Sequence, residues 1–180
     1  MVILYLADGF EEVEAISVID VLRRADIELQ TVSIMGKKEV AGAHGISIFA
    51  DMIYEDVDHS KVSMIILPGG GQGTKNLDQH GGVNVQLLKA AEQDKYIAAV
   101  CAAPKVLGRL GLLKGKMATC YPGNEKYLIG ADISAPGKTI VDGKIITSRG
   151  PGTSLDFALT IVAVLKGQAL ADTIRKALVL

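Results

Sequence analysis

Short apolar runs constrain this chain more than any other feature: VILYLA at 2 to 7, LQTVSI at 29 to 34, SMIILPGG at 63 to 70 and YIAAVC at 96 to 101. Each is too short for a helix and rich in branched side chains. The apolarity is continuous rather than alternating, as in strands buried on both faces. Between and after them lie helical patterns at 11 to 25, 82 to 94 and 104 to 110. Strands alternating with helices build right-handed βαβ units, so the expected fold class is α/β, a parallel sheet covered on both sides.

Smaller pieces complete the chain. Segments 38 to 51 and 138 to 148 carry turn glycines between short strands, and Asp142-Gly143 is a strong hairpin signal. A helix is expected over 153 to 167, with Thr153 or Ser154 as N-cap and Gly167 as C-cap. A last helix, 169 to 178, runs out through an apolar Leu-Val-Leu that needs cover from its own surface or a partner subunit. No composition break divides the 180 residues, so 1 to 180 reads as one domain. Nineteen basic against twenty acidic residues leave no field for nucleic acid or an anionic membrane. The amino terminus is apolar for too few residues to read as a leader or a span, so the expected location is the cytoplasm. Cys101 and Cys120 read as free thiols there.

Cys101 sits at the carboxyl end of an expected strand, where ligands bind to open parallel sheets. Ala99 and Ala103 flank it at the spacing that demands small residues in a nucleophile elbow. Pro104 suits the first turn of a following helix, whose positive end would favour thiolate over thiol. A buried cysteine acting as a small hydrophobe is the bland alternative.

The glycine loop LPGGGQGTKN fits neither a P-loop nor G-x-G-x-x-G. Gly69, Gly70 and Gly71 can instead bring bare N–H groups to the sheet edge that holds Cys101, to meet an oxyanion or a sulfinate; a turn without chemistry is the other reading. Glu11, Glu12 and Glu14 open the first helix, where the dipole favours acids in any case. Glu14 lines up with Val18, Val21 and Ala25, Glu11 with Ala15 and Val18, Glu12 with Ile16 and Ile19, so periodicity leaves open which acid is buried.

Taken together, ADGFEEVEA, ILPGGG, AAVCAAP and ITSRGPGTS, ordered over nearly the whole chain, resemble the ThiJ/PfpI superfamily (class I glutamine amidotransferase-like), and within it the branch of the parkinsonism-associated protein deglycase. The resemblance implies a flavodoxin-like three-layer α/β/α sandwich and a homodimer. It implies Cys101 as nucleophile, Glu14 as a buried protonated acid beside it, and Gly69, Gly70 and Ala102 as oxyanion donors. It calls for no metal and no other cofactor. Two departures stand out: Ala102 replaces the histidine that follows the cysteine in the protease branch, and Tyr121 replaces the pocket histidine of the deglycase branch. Without them a Cys-His dyad is missing, and peptidase or amidase activity lacks its base. His59 and His80 read as solvated surface residues, and Cys120 as a secondary thiol. His44 falls where the family often has a basic residue reaching a neighbouring subunit's site, and Arg149 could hold an anion near a helix start. The expected activity is cysteine-dependent conversion of a reactive dicarbonyl, or of its early glycation adduct, to a hydroxy acid. The alternative is an oxidative-stress-responsive cysteine sensor or chaperone without turnover.

Overall fold

A computed structural model describes residues 1 to 180. The strands are β1 (Val2–Leu6), β2 (Leu29–Ser33), β3 (Glu39–Ala41), β4 (Ser47–Phe49), β5 (Met52–Ile53), β6 (Met64–Leu67), β7 (Tyr96–Val100), β8 (Thr139–Asp142) and β9 (Ile145–Ser148). The helices are α1 (Glu12–Arg24), α2 (Gly71–Gln79), α3 (Gly81–Glu92), α4 (Pro104–Arg109), α5 (Ser154–Lys166) and α6 (Gln168–Ala177). Seven strands form one sheet in the order β5-β2-β1-β6-β7-β9-β8, parallel except for the β8–β9 hairpin. This is the expected flavodoxin-like α/β architecture.

The continuous apolar runs divide their side chains between two cores. Val2, Leu4 and Leu6 of β1 face one core with α1 and α5, while Ile3 and Tyr5 face the other with α3 and α4. β6 and β7 repeat the pattern, with Met64, Ile66, Ala98 and Val100 on the first side and Ile65, Leu67, Ile97 and Ala99 on the second. A period of two with both faces apolar is what two helical layers require.

One segment departs from the sequence expectation, and another follows it outside the main sheet. The glycine loop stops at Gly70, and Gly71–Gln79 is a helix. Its glycines and polar residues give it poor intrinsic propensity, so packing of the buried Leu77 and Thr74 carries it. Segment 38 to 51 forms a separate antiparallel pair, β3 with β4, before the chain returns to the sheet as β5. No helix is long and apolar enough to cross a membrane.

Strand order reverses between β1 and β6, and a crevice therefore opens beyond their carboxyl ends. The turns after β1, β6 and β7 all reach this edge, and they carry α1, the glycine loop and Cys101.

Candidate active site

Cys101 occupies the left-handed region at φ 65°, a strained position for a side chain other than glycine. Backbone bonds clamp it there. Its N–H donates to Ser148 O (3.0 Å), its carbonyl accepts from Tyr121 N–H (2.8 Å), and Ala103 N–H donates to Val100 O (3.0 Å). Ala99 and Ala103 are fully buried, as the tight turn from β7 into α4 demands, and Pro104 opens α4.

Glu14, on the core face of α1, is completely buried, and its carboxyl converges with the Cys101 thiol on Gly69. A Cβ at Gly69 would lie 2.6 Å from Glu14 Oε2 and 3.0 Å from Cys101 Sγ. Glycine is required here. Gly69 N–H donates to Glu14 Oε2 (2.7 Å), so it orients the acid rather than facing the sulfur, unlike the oxyanion role expected for it. The donors that favour charge on the sulfur are the N–H groups of Gly70 and Ala102. Glu14 Oε1 is buried with no hydrogen-bond partner.

Burial pushes the Glu14 carboxyl up to about 7, against the bonds from Cys101 and Gly69, and the charge of Glu11 adds to the rise. Burial also pushes the Cys101 thiol up to about 12, followed by the charge of Glu14 and the hydrogen bond to it. The thiolate favoured by a helix start is therefore not the resting state while Glu14 is ionised. α4 spans only six residues, and its dipole is outweighed by desolvation and a neighbouring carboxylate. The two groups behave as one coupled pair holding a proton between them.

The other candidates are dispersed. His44, whose side chain is two-thirds exposed, sits over α1, with Nδ1 2.8 Å from Glu12 Oε2 and 3.7 Å from Glu11 Oε2. Glu12 also accepts from His44 N–H (2.6 Å) and ties the β3–β4 hairpin to α1. Burial pushes Glu12 up, yet the bonds from His44 and Ile46 hold it below its ordinary range. The side-chain hydrogen bond to Glu12, then the charges of Glu11 and Glu12, raise His44. Sequence reasoning missed this structural use of Glu12. Glu11, Glu12 and His44 are also the one His/acid cluster close enough to grip a metal ion. Tyr121 packs its ring near Gly150 and is half-exposed. Arg149 lines a cavity of about 250 Å³ with the buried Cys120 and the exposed Glu125. His59 and His80, expected in solvent, instead flank the Tyr54 ring at 4.9 and 4.8 Å. No histidine is among the groups that act on Cys101.

Residues 1–164 match the DJ-1/PfpI family. DJ-1 homolog B of Arabidopsis thaliana is 36% identical over 99% of this chain. The chain spans 41% and 46% of the lengths of the two Arabidopsis homologs, B and A. A glutathione-independent glyoxalase of Caenorhabditis elegans, DJR-1.2, is 30% identical over 99% of this chain and 95% of its own. The structure of oxidized Toxoplasma gondii DJ-1 superposes with a TM-score of 0.94 at 34% identity, covering 99% of this chain and 97% of that one.

Proposed function

This chain belongs to the DJ-1/PfpI family, and we propose that it is a cysteine-dependent enzyme converting a reactive dicarbonyl, or its early adduct, to a hydroxy acid. The observation that carries the reading is the strained Cys101 thiol set against a buried carboxyl whose proton is shared near neutrality. Similarity to a glyoxalase-named relative supports it.

The sulfur adds to the aldehyde carbon while the pair's proton passes to the carbonyl oxygen, leaving Glu14 ionised. Glu14 then takes the hydrogen from that carbon as a proton and returns it to the adjacent carbon, while the proton of the new hydroxyl passes to the neighbouring oxygen, so that the first carbon is oxidised to a thioester and the second reduced to an alcohol. Water hydrolyses the resulting thioester, releasing the hydroxy acid and restoring the thiol. The sum is dicarbonyl plus water. Gly70 and Ala102 N–H groups stabilise the developing oxyanion, and the carboxyl's position near pH 7 suits a group that must both give and take.

A second reading, an oxidation-sensing thiol, is favoured by the unpartnered Glu14 Oε1, which can donate to a sulfinate oxygen once protonated. Two assays separate the readings: methylglyoxal turnover by native protein and Cys101→Ser, and peroxide titration followed by mass spectrometry. Turnover abolished by Cys101→Ser supports the enzyme. Native turnover no greater than that of free thiol, with a stable sulfinate at Cys101, overturns it in favour of the sensor.

A further inference from the structure

The start of α1 carries a group of metal-ligating side chains separate from the Cys101 and Glu14 pair: Glu11, Glu12 and His44. An acid at a helix start ordinarily caps free N–H groups, yet Glu11, the N-cap, makes no side-chain cap bond. Its side chain is only 14% exposed, and its one ion-pair partner is His44 Nδ1 at 3.7 Å. Glu12, 7% exposed, turns Oε1 to the N–H groups of His44 and Ile46 and presents Oε2 to His44 Nδ1 at 2.8 Å. No lysine or arginine pairs with either acid.

Two carboxylates largely withdrawn from water are thus faced by a single imidazole, which supplies one positive charge at most. The positive end of α1 opposes a further cation with about half a charge, less than either carboxylate brings. The three ligand atoms lie within 4.8 Å of one another. Around a tetrahedral zinc ion such atoms stand roughly 3.3–3.6 Å apart, and the observed 2.8 and 3.7 Å bracket that spacing. Small side-chain adjustments close the set on an ion. The backbone donors to Oε1 fix the Glu12 carboxylate in place, as outer partners of metal ligands do. His44, with its side chain 67% exposed, leaves a path from solvent and room for water at the remaining position.

We propose that Glu11, Glu12 and His44 bind a zinc ion, each acid giving one carboxylate oxygen, His44 giving Nδ1 with its ring proton on Nε2, and water completing a tetrahedral set. The donors decide the metal: an imidazole among carboxylates favours zinc over magnesium or calcium, which take oxygen ligands. The ion replaces one hydrogen bond between α1 and the β3–β4 turn with metal bonds to both, and it employs the Glu11 carboxylate that caps nothing. Its place is structural, a clip between helix and hairpin. Nothing in this inference depends on the chemistry at Cys101.

Calorimetric titration of the native protein with zinc chloride and, separately, magnesium chloride tests it, together with zinc-edge X-ray absorption at one equivalent of zinc. The expected result is saturable zinc binding, tighter than that of magnesium, with coordination by nitrogen and oxygen and the scattering of one imidazole. His44→Ala and Glu11→Gln should each weaken zinc binding about tenfold or more, since losing even an outer partner of a metal ligand costs roughly 10- to 100-fold. Both variants keep the tie between helix and hairpin, because the His44 backbone N–H still reaches Glu12 and the Glu11 side chain makes no cap bond. Circular dichroism verifies their fold. Glu92→Gln, at the end of α3 on the other face of the sheet, leaves binding unchanged. Sulfur at about 2.3 Å from the ion would place it on a thiol instead. That result, magnesium binding as tightly as zinc, native affinity in either variant, or no saturable heat with zinc overturns the proposal.

Discussion

Glu14 shows how one residue's surroundings set its chemistry. A folded-state value near 7, against an ordinary 4.5, means the native protein keeps a proton that the unfolded chain has already released. Stability therefore falls as pH rises from about 4.5 to about 7, with the cost fully present above that, on the order of 3 kcal/mol. Glu14→Gln carries no such charge. Its melting temperature should match native protein near the bottom of this window and exceed it at the top; parallel curves in pH-dependent calorimetry would count against a buried, titrating Glu14. The same change removes the carboxylate charge that raises the Cys101 thiol, so alkylation by iodoacetamide should quicken while dicarbonyl turnover drops about 10²-fold, the scale for a lost general acid–base. A variant slower in both assays would mean that the introduced amide has simply displaced the thiol. The first helix alone did not single out this acid, since Ala15 and Val18 beside Glu11 are also buried. Glu14 shares its stripe with Val18, Val21 and Ala25, all buried, whereas Ile16 beside Glu12 is exposed. What single-chain periodicity lacked was the second layer: only the packing of α1 on α5 shows which stripe faces inward.

At the level of elements, the turn after β6 couples fold to site. Gly70 adopts φ 90° at the start of α2, and a Cβ there would run into Gly9 O and lie 2.7 Å from Glu11 N. Backbone, not a movable side chain, fills the space. Gly70→Ala should cost roughly 2–4 kcal/mol, combining left-handed strain with the clash. Denaturant unfolding measures this, and a loss under about 0.5 kcal/mol, the range of innocuous surface changes, would show that the turn relaxes freely. The strands around this turn were legible because apolar runs of their length have few other uses. α2 was not, because glycine and threonine in its first turn signal a loop, and its stability comes from Leu77 buried against other elements. Cys101 was legible for a local reason: small residues two positions away on each side are a steric demand of the elbow, visible without any tertiary information.

Across the whole molecule, exposed apolar side chains gather where α1 meets the β3–β4 hairpin: Val13, Ile16, Ile46 and Phe49, with Phe49 77% exposed. The two elements are fastened together by Glu12 and His44, so the patch is presented as one surface. A hairpin outside the main sheet with an outward phenylalanine gains little for the isolated chain, and its cover by a second copy accounts for the homodimer that we propose. The sequence showed this segment as turn glycines between short strands. It did not reveal that Phe49 faces outward, because a three-residue strand has too few positions to display a period. The C-terminal Val179 and Leu180 are also exposed, but on their own they form too small a patch to drive association. Light scattering at micromolar concentration should give twice the 19.0 kDa chain mass. Phe49→Glu should shift the protein to monomer, since a carboxylate buried against an apolar partner face costs several kcal/mol and leaves the exposed residue in the free chain undisturbed. Circular dichroism identical to native protein would show that the fold is intact. A native monomer, or a Phe49→Glu protein that remains dimeric, would place the subunit contact elsewhere.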